Sequence, residues 1–322
     1  ELGIALHGLG RKPEALKVLR RARQEAPADT DVLAYYALCL PASRYAELAA
    51  AFEALPDTIL SHRACADVFL EQGHAPLLRL FADLLARKEP EHYDVAHDLG
   101  HARLFEKKYK EAADTFADAQ QAMFTAPAAE RPESYEIQLT YMDALMDALL
   151  AVDDPVSAHD RVLDEAYAFD YIADELAYTK KNGSLLRTYL AHVGRSPPDD
   201  WGTLTPFKLG LYAAEADLLE RKRDAALKRL KALYPLAEEA IDEDLDDEEM
   251  ADLLWDIGDL YVRSLARAKR FEEATRIAAS IHARFSDPIY LALVHVLRGA
   301  PAQAIVHIEA TLNGGRSAEE IF

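Results

Sequence analysis

Apolar residues recur along this chain at steps of three and four, the spacing of one helix face, and no stretch alternates at period two long enough to predict a sheet. The first pattern runs Leu2, Gly3, Leu6, then Ala15, Leu19, Ala22, and stops at Pro27. A second runs Leu99, Gly100, then Ala112, Phe116, Ala119. From glycine to the first alanine is twelve residues in both, followed by steps of four and three. These spacings predict two antiparallel helices joined by a short turn. A small residue in the first helix lets the second approach closely. Ala15 and Ala112 do the same from the second helix, Leu19 and Phe116 fill the gap towards the next hairpin, and proline ends the second helix.

Residues 59–90 follow the pattern more loosely, through Ala66 and Phe69, then Leu78 and Leu85. Residues 30–56 are a shorter version interrupted at Pro41. Towards the C-terminus Leu209-Gly210 leads to Ala226, Leu230 and Leu233, and Ile257-Gly258 leads to Ala274, Ala278 and Ile281. Here the glycine-to-alanine step is sixteen residues, and the added four, about one turn, are assigned to longer first helices. A last hairpin is expected at Ile289–Arg298 and Ala302–Leu312, broken by Gly299 and Pro301. The least regular stretch, 131–203, still has Tyr135, Leu139, Met142, Leu145 and Leu149 at helical spacing. It predicts a second helix after Asp154-Pro155, a third closed by Asn182-Gly183 and a fourth at Ser184–His192. Arg195–Asp200, with two prolines, is expected to be a hinge loop.

The pattern resembles the tetratricopeptide repeat, a helical hairpin of about 34 residues. That resemblance implies an all-α fold, a superhelical solenoid of antiparallel helix-turn-helix units. Its expected parts are repeats over 1–130, divergent hairpins over 131–203 and repeats with lengthened first helices over 204–322. The first repeat lacks its opening residues, so the chain is expected to be a piece of something longer. The resemblance also implies a groove lined by first helices that holds a peptide or protein. Its candidate lining here is Arg63, Asp67, His97, His101, Phe207, Leu211, Asp252, Trp255 and Asp259. Among the positions where relatives clamp a carboxylate, only Arg63 suits one.

Charge narrows the partner. Against 36 Lys and Arg stand 56 Asp and Glu, a net −20. Such a surface repels phosphate backbones and attracts basic proteins, so the expected partner is a basic protein or peptide and not nucleic acid. Glu238–Glu249 is the densest acidic run, either a solvated loop leading into a helix N-terminus or an acidic lip for that partner. No apolar run is long enough to cross a membrane. Cys39 and Cys65 sit in apolar helical patterns without metal-ligand spacing, as buried thiols of a reducing, cytoplasmic compartment do.

Catalytic motifs are scarce. His97 and His101 stand four apart, as in zinc-binding His-Glu-x-x-His helices. However, Asp98 replaces the catalytic glutamate, no third ligand is evident, and Leu99-Gly100 already serve the repeat. No glycine-rich phosphate loop, nucleophile elbow or Cys-x-x-Cys is present. The reading is therefore a non-enzymatic scaffold or adaptor without a cofactor. The alternatives are a peptide-sensing regulatory module of a larger protein and, in another class, a metal-dependent hydrolase using His97 and His101. Trp201 is expected to pack the Pro-Pro loop against the array.

Overall fold

The computed structural model describes residues 1–55, 58–126, 135–162, 164–198, 202, 204–243, 248–286 and 288–313. Among these residues every regular element is helical, and no helix is long and apolar enough to cross a membrane. By packing, the chain divides into two compact units, Glu1–Ala168 and Phe169–Phe322. The division falls inside a helix of the irregular middle stretch, not at the loop around Pro197.

The N-terminal unit contains α1 (Leu2–Gly8), α2 (Lys12–Glu25), α3 (Thr30–Cys39), α4 (Ala46–Glu53), α5 (Thr58–Glu71), α6 (Ala75–Ala86), α7 (Tyr93–Phe105), α8 (Tyr109–Thr125), α9 (Tyr135–Leu150) and α10 (Pro155–Arg161). α11 (Glu165–Asp174) begins in this unit and ends in the next. The C-terminal unit continues with a π-helical turn at Glu175–Thr179, α12 (Gly183–Val193), α13 (Thr205–Leu219), α14 (Arg223–Glu243), α15 (Glu248–Arg267), α16 (Phe271–Phe285), α17 (Ile289–Arg298) and α18 (Pro301–Asn313). Within each unit most consecutive helices pack on one another as hairpins, and α3 packs on α5 past the short α4. First helices of successive hairpins also touch, α5 with α7, α7 with α9, α13 with α15 and α15 with α17.

One turn recurs through most of the hairpins. A single residue with positive φ separates the two helices at Gly10, Gly73, Lys107, Asp153, Arg221, Lys269 and Gly299. In each, its N–H donates to the carbonyl three residues back, and the next N–H donates to the carbonyl five residues before itself, as Lys107 to Leu104 and Lys108 to Arg103. This is the Schellman motif, which satisfies the orphan carbonyls at the end of the first helix. Five residues after the positive-φ residue stands a buried side chain every time: Ala15, Leu78, Ala112, Ala158, Ala226, Ala274 and Ala304. The small residue of the second helix is thus locked to the turn. Where Asp154 or Asn182 opens the second helix, its carbonyl or carboxylate oxygen accepts the N–H of Ser157 or Leu185 at 3.1 Å.

The glycines are placed differently from the alanines. A methyl group built on Gly3 would meet Leu19 at 2.5 Å, on Gly100 would meet Phe116 at 2.5 Å, on Gly210 would meet Leu233 at 3.0 Å, and on Gly258 would meet Ile281 at 2.7 Å. Leu19 and Phe116 therefore seat over the glycine of their own hairpin, which corrects their assignment to the gap with the next. In the two early hairpins the glycine lies seven residues before the positive-φ residue and its partner nine after. In the two late ones these distances are eleven and twelve. The extra length is one turn on both helices, not on the first alone, because a seat shifted along one helix must be matched on the other.

Lys107, Arg221 and Lys269 hold a left-handed conformation that costs a residue with a Cβ roughly 1–2 kcal/mol. Glycine there loses part of that gain to its larger unfolded-state entropy. Replacing the three by glycine is expected to stabilise the protein by up to about 1 kcal/mol each, read as a higher denaturant midpoint. A lower midpoint for the triple variant would contradict the strain assignment.

Candidate functional site

In the N-terminal unit the first helices α5, α7 and α9 meet around a network of buried polar side chains. Periodicity places His62, Arg63 and Asp67 on one side of α5, and Asp94, His97, Asp98 and His101 on one side of α7. Asp94 and Asp98 are 4% and 3% exposed, and His62 is fully buried. Charged groups at such depth persist only when paired and hydrogen-bonded. Asp94 accepts from Arg63 Nε at 2.7 Å and from the Tyr141 hydroxyl at 2.5 Å, and Arg63 also donates to the Tyr93 hydroxyl at 2.7 Å. Asp98 accepts from His62 Nε2 at 2.5 Å and lies 3.4 Å from His97 Nδ1. The chain of contacts ends at His101, whose Nε2 is 3.2 Å from Nε2 of His97.

An ionised Asp98 is acceptor-only, so both histidines turn an N–H towards it. His97 then has its Nε2 left to pair with Nε2 of His101. Burial opposes ionisation of Asp98, but the hydrogen bonds from His62 and His97 outweigh it and hold its pKa at about 2. Burial, with His97 beside it, lowers His101 to about 3. Burial lifts the Tyr141 phenol well above its usual range, with Asp94 adding to the shift. The Nδ1 of His62 is buried without a partner.

His97 and His101 are thus committed to each other and to Asp98. Among the described residues no group of three or more His, Cys, Asp or Glu is arranged to hold a metal ion. Beside the network, His62, Arg63, Ala66, Asp67, Leu70, Asp94, His97, Asp98, Thr140 and Tyr141 line a cavity of about 260 Å³. Asp67 stands exposed at its edge. Burial, then Asp98 and Asp94, raise its pKa.

The C-terminal unit carries a second polar surface on α11, the π turn, α13 and α15. Steps of three and four bring Asp170, Asp174 and Tyr178 into one row, Lys208, Tyr212 and Glu215 into a second, and Glu249, Asp252, Asp256, Asp259 and Arg263 into a third. Lys208 bridges Asp170 at 3.0 Å and Glu249 at 2.8 Å. Tyr212 donates to Asp174 at 2.7 Å and Tyr178 to Glu215 at 3.3 Å, while Arg263 pairs with Asp259. Seven carboxylates therefore face Lys208, Arg263 and the nearby Arg267. Burial raises Asp170, Asp174 and Glu215 against the pull of their partners. Asp256 keeps its tip in solvent, yet the mass of protein around it, then Asp174 and Asp252, lift it to about 6.

The sequence-predicted groove residues divide accordingly. Arg63, Asp67, His97 and His101 come together around the first network, and Asp252 and Asp259 lie in the acidic rows, Asp259 buried in its ion pair. Phe207 and Leu211 do not line a groove: they are 9% and 5% exposed and belong to the unit's core. The polar row of α13 is Lys208, Tyr212 and Glu215, one position further on, and one residue is a rotation of 100°. Trp255 is half-buried, edge-on to Tyr290 at 5.4 Å between ring centres, so its ring serves core packing first. Trp201 and residues 244–247 of the Glu238–Glu249 run lie outside the described residues.

Sequence reasoning passed over His62, Asp94, Tyr141, Asp170, Asp174, Lys208 and Tyr212. Their common signal is a tyrosine hydroxyl on one first helix donating to a carboxylate on the first helix before it. Tyr141 reaches Asp94, Tyr167 reaches Asp143 at 2.6 Å, and Tyr212 reaches Asp174. Comparison with family models finds no match for this chain, and a search of curated proteins finds none either.

Proposed function

We propose that this protein is a helical-repeat scaffold of tetratricopeptide type, a solenoid of hairpins that binds a basic peptide or protein along the side lined by its first helices, without catalysis. The observation that carries this reading is the excess of carboxylates on α11, α13 and α15. Groups such as Asp170, Asp174, Glu215 and Asp256, all held above their ordinary pKa by burial, are short of counter-charge. A partner bearing lysines and arginines supplies it, and the net charge of −20 steers such a partner in. The recurring turn and the glycine seats of four hairpins support the repeat reading, since the two spacings of the seat differ by one helical turn and keep the same face. His97 and His101, which a metal-dependent hydrolase would need free, are here bonded to each other and to Asp98.

The test is selection from an immobilised peptide library spanning acidic to basic sequences. Basic members are expected to be enriched, with affinity falling as salt rises. Replacing the solvent-exposed Asp252 and Asp256 together by asparagine should weaken a selected peptide by about tenfold, chiefly through slower association. Enrichment that ignores peptide charge would overturn the proposal.

A further inference from the structure

The cavity between α5, α7 and α9 has walls of two kinds. Ala66, Leu70 and the Tyr141 ring are apolar, while Asp67, Asp94 and Asp98 are carboxylates. Arg63 is the one guanidinium on the wall, and it is already tied to Asp94 and Tyr93. Three carboxylates face one guanidinium on the lining, so its fixed charged groups are predominantly acidic. Asp94 and Asp98 have their bonds filled from within, which fixes them in place. Asp67 differs: among the described residues no hydrogen bond or ion pair engages it. His62, fully buried on the same wall, has its Nδ1 without a partner. At about 260 Å³ the space suits one long side chain rather than a helix or a strand.

We infer that this cavity is a receptor for a single cationic side chain, lysine or arginine, presented by the basic partner proposed above. The ammonium or guanidinium meets Asp67, with Asp94 and Asp98 behind it, and the methylene stem lies on Ala66 and Leu70. The three carboxylates disfavour an anion, and a neutral side chain would give Asp67 no counter-charge. Burial first, and then Asp98 and Asp94, raise Asp67, and an entering cation offsets the charge of those two neighbours. The inference rests on the proposed basic partner for its biological setting, but the cavity's chemistry is testable alone.

Protein with isotope-labelled histidine is titrated with butylammonium, butylguanidinium and the neutral isostere butylurea, and the His62 and His97 ring resonances are followed. Saturable shifts are expected with one or both cations and not with butylurea, and the stronger of the two identifies the preferred side chain. Asp67→Asn should weaken the response about tenfold, and Asp67→Glu, which keeps the charge, should retain most of it. Both substitutions are at an exposed position, and an unchanged far-ultraviolet spectrum checks the fold. Equal shifts with butylurea, or cation binding that survives Asp67→Asn, would overturn the inference. So would histidine resonances that do not move. Basic peptides that bind without moving these resonances would leave the proposed function standing and remove this site. Cations that bind here when no basic peptide is selected would do the reverse.

Discussion

Replacing Asp98 with alanine is expected to cost the N-terminal unit about 1–3 kcal/mol, the penalty of leaving a buried hydrogen-bond donor unsatisfied. His62 is fully buried, and Asp98 Oδ2 at 2.5 Å is the acceptor for its Nε2. With His62 Nδ1 already unpartnered, the alanine variant would leave the imidazole without any hydrogen bond in the interior. His97 loses its acceptor as well. Asparagine keeps the shape but offers one acceptor where two donors point, so it should fall between alanine and the natural residue. Replacing His62 and Asp98 together by leucine should recover part of the loss, because an apolar pair leaves neither charge nor donor stranded. Urea unfolding followed by amide exchange in α5 and α7 measures all three. A single-variant cost below about 1 kcal/mol would show that the pair is not the anchor described here.

Acidification from pH 7 to pH 5 is expected to move the two units in opposite directions. His101 has a folded pKa of about 3 against an ordinary 6.5. The unfolded chain therefore binds the extra proton between those values, and stability falls as pH drops below 6.5. Over this interval the linkage amounts to about 2 kcal/mol lost from the N-terminal unit. Asp98, held near 2, adds a loss of the same sign only below about pH 4. Asp256 behaves in the opposite sense: its folded pKa of about 6 exceeds the ordinary 3.8, so the folded state binds the proton first. Stability of the C-terminal unit then rises as pH falls through 6, by no more than about 1 kcal/mol once solvent screening of the exposed carboxylate is counted. Asp170, Asp174 and Glu215, also raised, add to the gain.

The measurement is amide exchange in α7 and α15 at pH 7 and pH 5, corrected for intrinsic rates. Protection should fall in α7 and hold or rise in α15. His101→Phe removes the titrating ring while keeping an aromatic against Phe116, which lies 4.9 Å away between ring centres. It should abolish most of the α7 response, and Asp256→Asn should reduce that of α15. Parallel changes in both helices, or an α7 response that survives His101→Phe, would refute the assignment.

The helices, most of their ends and the recurring hairpin are written locally in the chain. Each of these depends on residues close along the chain: three-and-four spacing, an alanine five after a turn, a proline or asparagine at a helix start. Arg63, Asp67, His97 and His101 were named as one group through the resemblance to tetratricopeptide repeats, and periodicity supplied only the pairing within each helix. What each such face meets depends on packing between distant parts of the chain. His62 finds Asp98 from 36 positions away and Tyr141 finds Asp94 from 47, and neither distance leaves a mark in a local pattern. The rotation of α13 about its axis was likewise settled by packing. Phe207 and Leu211 went into the apolar core, and Lys208 and Tyr212, equally buried, turned to the carboxylates of Asp170 and Asp174. Periodicity places apolar residues on one side of a helix but leaves the boundary of that side uncertain by one residue, and at 100° per residue the burial against neighbouring helices makes the choice.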